Sequence, residues 1–243
     1  MIPKVIHYCW FGRKPLPESA QKCIASWRKF FPDFEIREWN EDNFDVSVIP
    51  YTREAYDAKK YAFVSDYARF WILYRFGGLY FDTDVEVIKP MDDIVARGAF
   101  IGTELLDRDG FPKVNPGLGM GMDKGDVILE SLLNKYAHMH FRGDDGRLNL
   151  KTIVDYTSEV LIEYGMAPTA EVQQVNNVTI YPISFFNPFD DLTGRLIISE
   201  CTHSIHWYNK SWYKMPTWRL GLSRFSHRLF GLKIHDFLTG LKK

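Results

Sequence analysis

Residues 5–12 read VIHYCWFG, an apolar and aromatic run that ends at a glycine. A short run of this kind predicts a buried strand. Ser19–Phe31 has the pattern of a helix, with Ser19 as a candidate cap and a proline directly after the last residue. Phe34–Trp39 alternates apolar and polar residues, which predicts a second strand. This strand–helix–strand order indicates an α/β fold with a mainly parallel central sheet.

The pattern continues beyond residue 50. Glu54–Phe76 predicts one long helix, apolar on nearly every face of its second half and therefore buried. Leu79–Ile88 predicts the next strand, after two glycines that end the helix. Further strands are expected at Ala99–Gly102 and near Val178–Ile183, and further helices at Val127–Tyr136 and Thr152–Tyr164. The sequence has no internal repeat, so residues 1–212 are expected to form one domain.

Composition excludes several classes of protein. The 243 residues are 46% hydrophobic and 25% charged, as in ordinary globular proteins, which excludes a disordered chain, a fibrous repeat and a disulfide mini-protein. A net charge of −1 argues against a general nucleic-acid binder. An odd number of cysteines, the lack of a signal-peptide pattern and the absence of an apolar run of ~20 residues predict a cytoplasmic protein.

Residues 213–243 differ from the rest of the chain. They contain seven Lys and Arg residues against one acid, Asp236, which gives this segment a net charge of +6. Four apolar residues follow helical spacing: Leu222, Phe225, Leu229 and Leu232. Two interpretations are equally supported. The segment is an amphipathic helix lying on the anionic inner face of a membrane, or it is a terminal helix packed on the domain with a solvated basic edge.

Three groups of residues suggest chemistry. Asp82-Thr83-Asp84 would place two carboxylates on one face of a strand, where Mg²⁺ or Mn²⁺ could bind between them, although a surface pair of acids fits equally well. Asp66 and Arg69 share a stripe of the preceding helix and either pair with each other or reach a polar ligand.

The third group lies at residues 203–212, HSIHWYNKSW. In it, His206 is a candidate third metal ligand, and Lys210 could neutralise a leaving diphosphate. Trp207 or Trp212 could stack on a ring. His203 is expected to be structural.

The run GGLYFDTD at residues 77–84, preceded by Ser65-Asp66 and Arg69, resembles the DXD-motif sugar transferases of glycosyltransferase family 32. That family includes yeast-type initiating mannosyltransferases and bacterial capsule and lipopolysaccharide enzymes, and its donor site is similar to that of large glucosylating bacterial toxins. Residues 2–12 resemble the opening strand of the family, and His206 with Ser211-Trp212 resembles its closing element. The resemblance spans roughly residues 1–212.

The resemblance implies a GT-A fold and a nucleoside diphosphate sugar as donor, with UDP-sugars favoured over GDP-mannose. By the family pattern, Trp10 would stack on the base, and Asp66 and Arg69 would contact the donor sugar and its phosphates. Asp82 and Asp84 would hold Mn²⁺ or Mg²⁺ and the ribose, with His206 near the metal. The remaining donor-binding residues would be Asn115, Lys210, Ser211 and Trp212. Asn115 precedes Pro116 where related transferases have alanine.

The implied reaction retains the anomeric configuration, and the acceptor would be a glycan or a lipid-linked oligosaccharide in surface polysaccharide synthesis. The sequence identifies no nucleophile, and Glu104 and Asp107 are only loose candidates for one.

Two other functions are compatible with the motifs. Leu79–Val85 also fits the opening motif of haloacid-dehalogenase-type phosphatases, in which Asp82 would attack phosphorus and Asp84 would handle the proton. Asp190 and Asp191 would then mimic a later acidic motif. The other alternative is a nucleotide-sugar-binding protein without catalytic activity.

Overall fold

The computed structural model describes residues 1–209. Its helices are α1 (Glu18–Phe30), α2 (Pro50–Asp57), α3 (Tyr61–Phe76), α4 (Asp92–Val95), α5 (Val127–Ala137), α6 (Ile153–Glu163) and α7 (Ile183–Phe186). Its strands are β1 (Val5–Cys9), β2 (Glu35–Trp39), β3 (Gly78–Tyr80), β4 (Val85–Val87), β5 (Phe100–Leu106), β6 (Pro112–Val114), β7 (Met120–Met122), β8 (Gln173–Val175), β9 (Val178–Tyr181), β10 (Phe189–Asp190), β11 (Arg195–Leu196) and β12 (Ser204–His206). The basic segment 213–243, with its two interpretations, lies outside the described residues.

The central sheet has the strand order β2-β1-β3-β7-β5-β9-β8, with β6 paired to β5. Strands β1, β2, β3, β5 and β9 run in one direction, and β7 and β8 run against them. Two short antiparallel pairs, β4 with β12 and β10 with β11, lie outside this sheet. The predicted α/β class and the mainly parallel central sheet are therefore confirmed.

The sheet separates two hydrophobic clusters because successive strand residues point to opposite faces. On β3, Leu79 packs into the cluster that includes Ile24 and Trp27 of α1, whereas Tyr80 packs into the cluster that includes buried residues of α3, α5 and α6. Helices therefore cover both faces of the sheet, which leaves the loops at the ends of its strands as the place for a site.

Helix α3 is buried along much of its length, as its composition predicted. Its buried residues are Val64, Asp66, Tyr67, Ala68, Arg69, Phe70, Ile72 and Leu73. The helix ends at Gly77, whose φ of 64° and close approach to Pro3 and the Lys124 backbone leave no space for a side chain. Within residues 1–209, no helix combines the length and the apolar character that a membrane span requires.

Two predicted elements were wrong in extent. The expected helix Glu54–Phe76 is divided into α2 and α3, because Lys59 adopts a left-handed conformation with φ 57° between them. The expected strand Leu79–Ile88 is divided into β3 and β4. The chain turns at Asp82-Thr83-Asp84, where the Val85 amide donates a 3.0 Å hydrogen bond to the Asp82 carbonyl.

Candidate active site

The strand register aligns one residue from each of four neighbouring strands in a row across the sheet. This row is called the common level. Ile6 on β1 lies opposite Leu79 on β3, and Gly121 on β7 lies opposite both Leu79 and Phe100 on β5. Since β1, β3 and β5 point the same way, the residues that follow this level emerge at one edge of the sheet.

Three of the candidate residues emerge at that edge. Trp10 follows β1, Asp82 follows β3, and Glu104 lies in the outer half of β5, each three or four residues beyond the common level. Ligands of open α/β sheets bind outside the carboxyl ends of the strands. The edge therefore brings together residues that are far apart in the sequence at the place where a ligand is expected.

The buried guanidinium of Arg69 lies at the centre of this edge and binds two carboxylates. Arg69 Nη2 lies 3.0 Å from Asp66 Oδ1 and 3.2 Å from Asp82 Oδ1, and Arg69 Nη1 lies 3.4 Å from Asp82 Oδ2. The guanidinium also stacks over the Tyr80 ring, 4.8 Å from its centroid, and the Tyr80 hydroxyl donates to Asp82 Oδ1 at 3.2 Å. The expected pairing of Asp66 with Arg69 is present, and Arg69 also reaches Asp82. Their contact with a polar ligand stays a prediction.

Burial sets the electrostatics of this network. Burial raises the pKa of Asp66 to about 7, since the nearby Arg69 offsets only part of the desolvation cost. Burial alone would lower the pKa of Arg69, but the attraction of Asp82 and Asp66 outweighs it and raises that pKa. Arg69 therefore stays charged, and its side chain is only 4% exposed.

Asp84, the second carboxylate of the turn after β3, is held by residues near the C-terminal end of the described chain. β12 pairs with β4 so that His206 lies opposite Val85, and His206 Nε2 reaches Asp84 Oδ1 at 3.0 Å. The Asn209 amide donates to Asp84 Oδ2 at 2.9 Å. Burial opposes charge on both partners, but their mutual attraction lowers the pKa of Asp84 and raises that of His206.

Asp82, Asp84 and His206 form a group whose ligand atoms all lie within 4.8 Å of one another. Two carboxylates and an imidazole suit Mn²⁺ and are compatible with Mg²⁺. The donor set thus fits a divalent cation. The convergence was predicted correctly, but it comes from the turn between β3 and β4 rather than from alternation along one strand.

Asn115 and Gly117 line the same edge. Asn115 Nδ2 donates to Glu104 Oε2 at 2.7 Å, its Oδ1 accepts from the Gly117 amide at 2.7 Å, and the Gly117 carbonyl accepts from the Asp82 amide at 3.0 Å. A side chain at Gly117 would place its Cβ 2.0 Å from Asp82 Oδ2. The position is therefore restricted to glycine by contact with the Asp82 carboxylate.

Trp10 lies beside a cleft of ≈310 Å³ at the β1 and β2 end of the edge. Its indole Nε1 donates to the Lys14 carbonyl at 2.6 Å, which fixes the orientation of the ring. The cleft is lined by Trp10, Arg13, Lys14, Pro15, Glu38, Asn40, Glu41 and Asp42. A flat ring at a polar cleft is a suitable platform for a nucleobase.

Other predicted residues have local roles or cannot be placed. His203 is structural, as expected, with Nδ1 2.7 Å from the Pro90 carbonyl. Asp107 accepts hydrogen bonds from two amides of its own turn, which accounts for it without a role in chemistry. Lys210, Ser211 and Trp212 lie outside the described residues, so their predicted roles stay predictions.

Sequence reasoning missed three contributors to the site. Tyr80 contacts both Arg69 and Asp82, and strand alternation toward the helix layer could have identified it. Tyr208 packs edge-on against His206, with ring centroids 4.1 Å apart. Asn187 donates to the Glu104 carbonyl at 3.0 Å. The Asn187 contact joins segments that are 83 residues apart, and no local pattern signals it.

Residues 17–101 match the family model of the glycosyltransferase sugar-binding region containing a DXD motif. Relatives include inositol phosphoceramide mannosyltransferase 1 of Schizosaccharomyces pombe, 30% identical over 41% of this chain, and an uncharacterized glycosyltransferase of Acanthamoeba polyphaga mimivirus, 25% identical over 77% of this chain and 76% of that protein. The chain spans 33% of the length of the first relative. The resemblance to DXD-motif sugar transferases is thus confirmed.

Solved structures similar to this chain include two glycosyltransferases. The glycosyltransferase PaToxG is 19% identical, with a TM-score of 0.48 over 67% of this chain and 69% of that chain. A glycosyltransferase involved in glycosylation of the major capsid of PBCV-1 is 11% identical, with a TM-score of 0.44 over 77% of this chain and 86% of that chain.

The network predicts a non-additive effect on stability. Arg69→Leu leaves Asp66 and Asp82 without their buried cation and is expected to reduce the free energy of unfolding by ~3–5 kcal/mol. The double variant Asp66→Leu/Arg69→Leu removes the more buried of the two carboxyl groups that Arg69→Leu leaves without a partner, and it should be more stable than Arg69→Leu by ~1–2 kcal/mol. Urea unfolding of the parent, both single variants and the double variant measures this coupling. A double variant that loses the sum of the two single effects would contradict the network.

Proposed function

We propose that this chain is a metal-dependent retaining glycosyltransferase that moves a hexose from a nucleoside diphosphate sugar to a glycan or lipid-linked acceptor. The observation that carries the proposal is the convergence of Asp82, Asp84 and His206 beside a buried Arg69. Both carboxylates belong to the matched sugar-binding region. The arrangement is the one that a GT-A transferase needs at its donor diphosphate.

The protein's own residues orient the two carboxylates. A Mn²⁺ or Mg²⁺ ion bound by Asp82, Asp84 and His206 would neutralise charge on the leaving diphosphate. Arg69 and Tyr80 hold both oxygens of Asp82, and the Asn209 amide holds one oxygen of Asp84. Such fixed partners keep ligands in place before the donor arrives, which is what electrostatic stabilisation of a leaving group requires.

The cleft beside Trp10 would take the base of the donor. The indole is fixed at its edge by the Lys14 carbonyl and lines the cleft, where a base would stack on it. A stacking ring accepts uracil or guanine. We favour a UDP-sugar, as the sequence resemblance implies, and keep GDP-mannose as the other donor.

Arg69 has a different role from the one that the resemblance implies. Its guanidinium already contacts Asp66 and Asp82, so in this proposal it acts by positioning Asp82 rather than by touching the donor phosphates. Lys210 directly follows Asn209, whose amide binds Asp84. We assign to Lys210 the neutralisation of the departing diphosphate, with Ser211 and Trp212 completing the donor site. We assign no nucleophile.

A surface-polysaccharide acceptor at the inner face of the membrane is the favoured setting. The basic segment 213–243 has the net charge that attracts anionic lipid. Relatives are named as mannosyltransferases of inositol phosphoceramide. Sedimentation with vesicles containing phosphatidylglycerol tests the membrane part, because removal of residues 225–243 should lower the binding. Equal binding with and without these residues would eliminate it.

The phosphatase alternative has a specific structural difficulty. Its motif normally follows the first strand of the chain, whereas here Asp82 follows β3, after β1, α1, β2, α2 and α3. Asp190, which would mimic the later acidic motif, accepts hydrogen bonds from the Leu192 amide and the Thr193 hydroxyl within its own turn. A nucleotide-sugar-binding protein without activity would use the same residues and differs only in turnover.

Donor hydrolysis tests the proposed activity. The chain with Mn²⁺ is expected to release nucleoside diphosphate from UDP-glucose, UDP-galactose or GDP-mannose, with retained configuration in the sugar detected by NMR. Asp84→Asn should lower this rate roughly a hundredfold, because an oriented charge at the leaving group is lost.

The matched control is Glu130→Gln on an exposed face of α5, which should leave the rate unchanged. Binding of a donor with no turnover would support the non-catalytic alternative. Hydrolysis of p-nitrophenyl phosphate that depends on Asp82, without donor hydrolysis, would support the phosphatase.

A further inference from the structure

Glu104 occupies an irregular position in β5. The pairing with β6 matches Thr103 with Val114 and Leu105 with Lys113, and the register shifts between Thr103 and Leu105. Glu104 is thus the extra residue of a β-bulge. Bulges interrupt the alternation of side chains and often aim one of them into a site.

The bulge is supported by a buried amide. The Glu104 carbonyl accepts a 3.0 Å hydrogen bond from Asn187 Nδ2, and Asn187 is only 7% exposed. A carbonyl left unpaired in a buried ladder would be costly, so Asn187 stabilises the irregular backbone. Glu104 is therefore held in this conformation by a segment more than eighty residues away in the sequence.

A chain of hydrogen bonds connects the Glu104 carboxylate to Asp82. Its Oε2 accepts from Asn115 Nδ2 at 2.7 Å, and Asn115 connects through Gly117 to the amide of Asp82. Among residues 1–209, no basic side chain forms an ion pair with Glu104. Desolvating a carboxylate that has one neutral hydrogen-bond partner is unfavourable. If Glu104 served only to orient Asn115, an uncharged amide side chain at this position would do so equally well. The negative charge of Glu104 therefore indicates a ligand group that donates a hydrogen bond to this carboxylate.

The strand order identifies which part of the ligand this is. Along the edge, Trp10 follows β1, Asp82 follows β3, and Glu104 lies on β5, beyond β7. Three strand spacings separate β1 from β5, about 14 Å. On the proposed function, which this inference rests on, the base lies at Trp10 and the diphosphate at Asp82. The next position along the edge belongs to the transferred sugar.

We propose that Glu104 accepts a hydrogen bond from a hydroxyl group of the transferred sugar and is a specificity-determining residue of the donor site. Sugar hydroxyls donate hydrogen bonds, and a carboxylate only accepts them. A bond to a fixed, charged acceptor discriminates against a sugar whose hydroxyl points elsewhere, because the half-buried carboxylate would then keep Asn115 as its one hydrogen-bond donor.

The test compares affinity for nucleotide sugar with affinity for the free nucleotide. UDP, GDP, UDP-glucose, UDP-galactose and GDP-mannose are titrated with Mn²⁺ into the full chain, into Glu104→Gln and into the control Glu130→Gln. Glu104→Gln should weaken binding of the nucleotide sugar about 10- to 100-fold and leave the affinity for the matching free nucleotide within about twofold. Its hydrolysis kcat/KM for that donor should fall by a similar factor, while Glu130→Gln matches the parent in every measurement.

Three results would overturn the proposal. Unchanged affinities of Glu104→Gln for both the nucleotide and the nucleotide sugar would exclude a contact with the sugar. A matched loss of nucleotide and nucleotide-sugar binding would show that Glu104 acts on Asp82 through Asn115. A loss only in transfer to an acceptor, with donor hydrolysis intact, would place Glu104 at the acceptor. If the parent binds no nucleotide at all, the proposed function itself fails, which is a separate outcome.

Discussion

The buried positive charge of Arg69 is the constraint on which this structure depends. A desolvated guanidinium needs carboxylates close by, and it finds one on its own helix, Asp66, and one beyond the end of β3, Asp82. The second contact fixes the helix relative to the sheet edge. It also fixes the carboxylate that the proposed metal site uses. The same network therefore stabilises the fold and sets the geometry of the site. Tyr80 on β3 belongs to it as well, since it contacts both Arg69 and Asp82.

The register of the sheet converts this local network into an extended site. β1, β3 and β5 share a direction and a common level, so their following residues emerge in a row. Trp10, Asp82 and Glu104 then occupy successive positions along the edge. Each has its own fixed support, namely the Lys14 carbonyl for the indole, Arg69 for the central carboxylate and an amide of Asn115 for the last one. An extended donor with base, diphosphate and sugar matches such a row in order.

The sequence predicted the parts of this account that depend on local patterns. The α/β class followed from alternating strand and helix patterns, and the buried helix with Asp66 and Arg69 followed from its all-round apolar surface. The break at Lys59 was missed because no glycine or proline marks it. Two other features are non-local, and the position of His206 beside Asp84 was expected only from the family resemblance. The pairing that brings His206 to Asp84, and the bulge that turns Glu104, depend on contacts between segments with no shared local signal.

The central claim is a metal-dependent nucleotide site at the Asp82 edge, and calorimetric titration tests it most directly. UDP and GDP are each titrated into the chain with and without Mn²⁺, and the titrations are repeated on Asp84→Ala. The account predicts that one nucleotide binds only when Mn²⁺ is present, and that Asp84→Ala abolishes this binding. The variant should still unfold in one cooperative thermal transition, at a lower midpoint because His206 loses its partner. Binding of neither nucleotide, or nucleotide binding that is indifferent to both Mn²⁺ and Asp84, would contradict it.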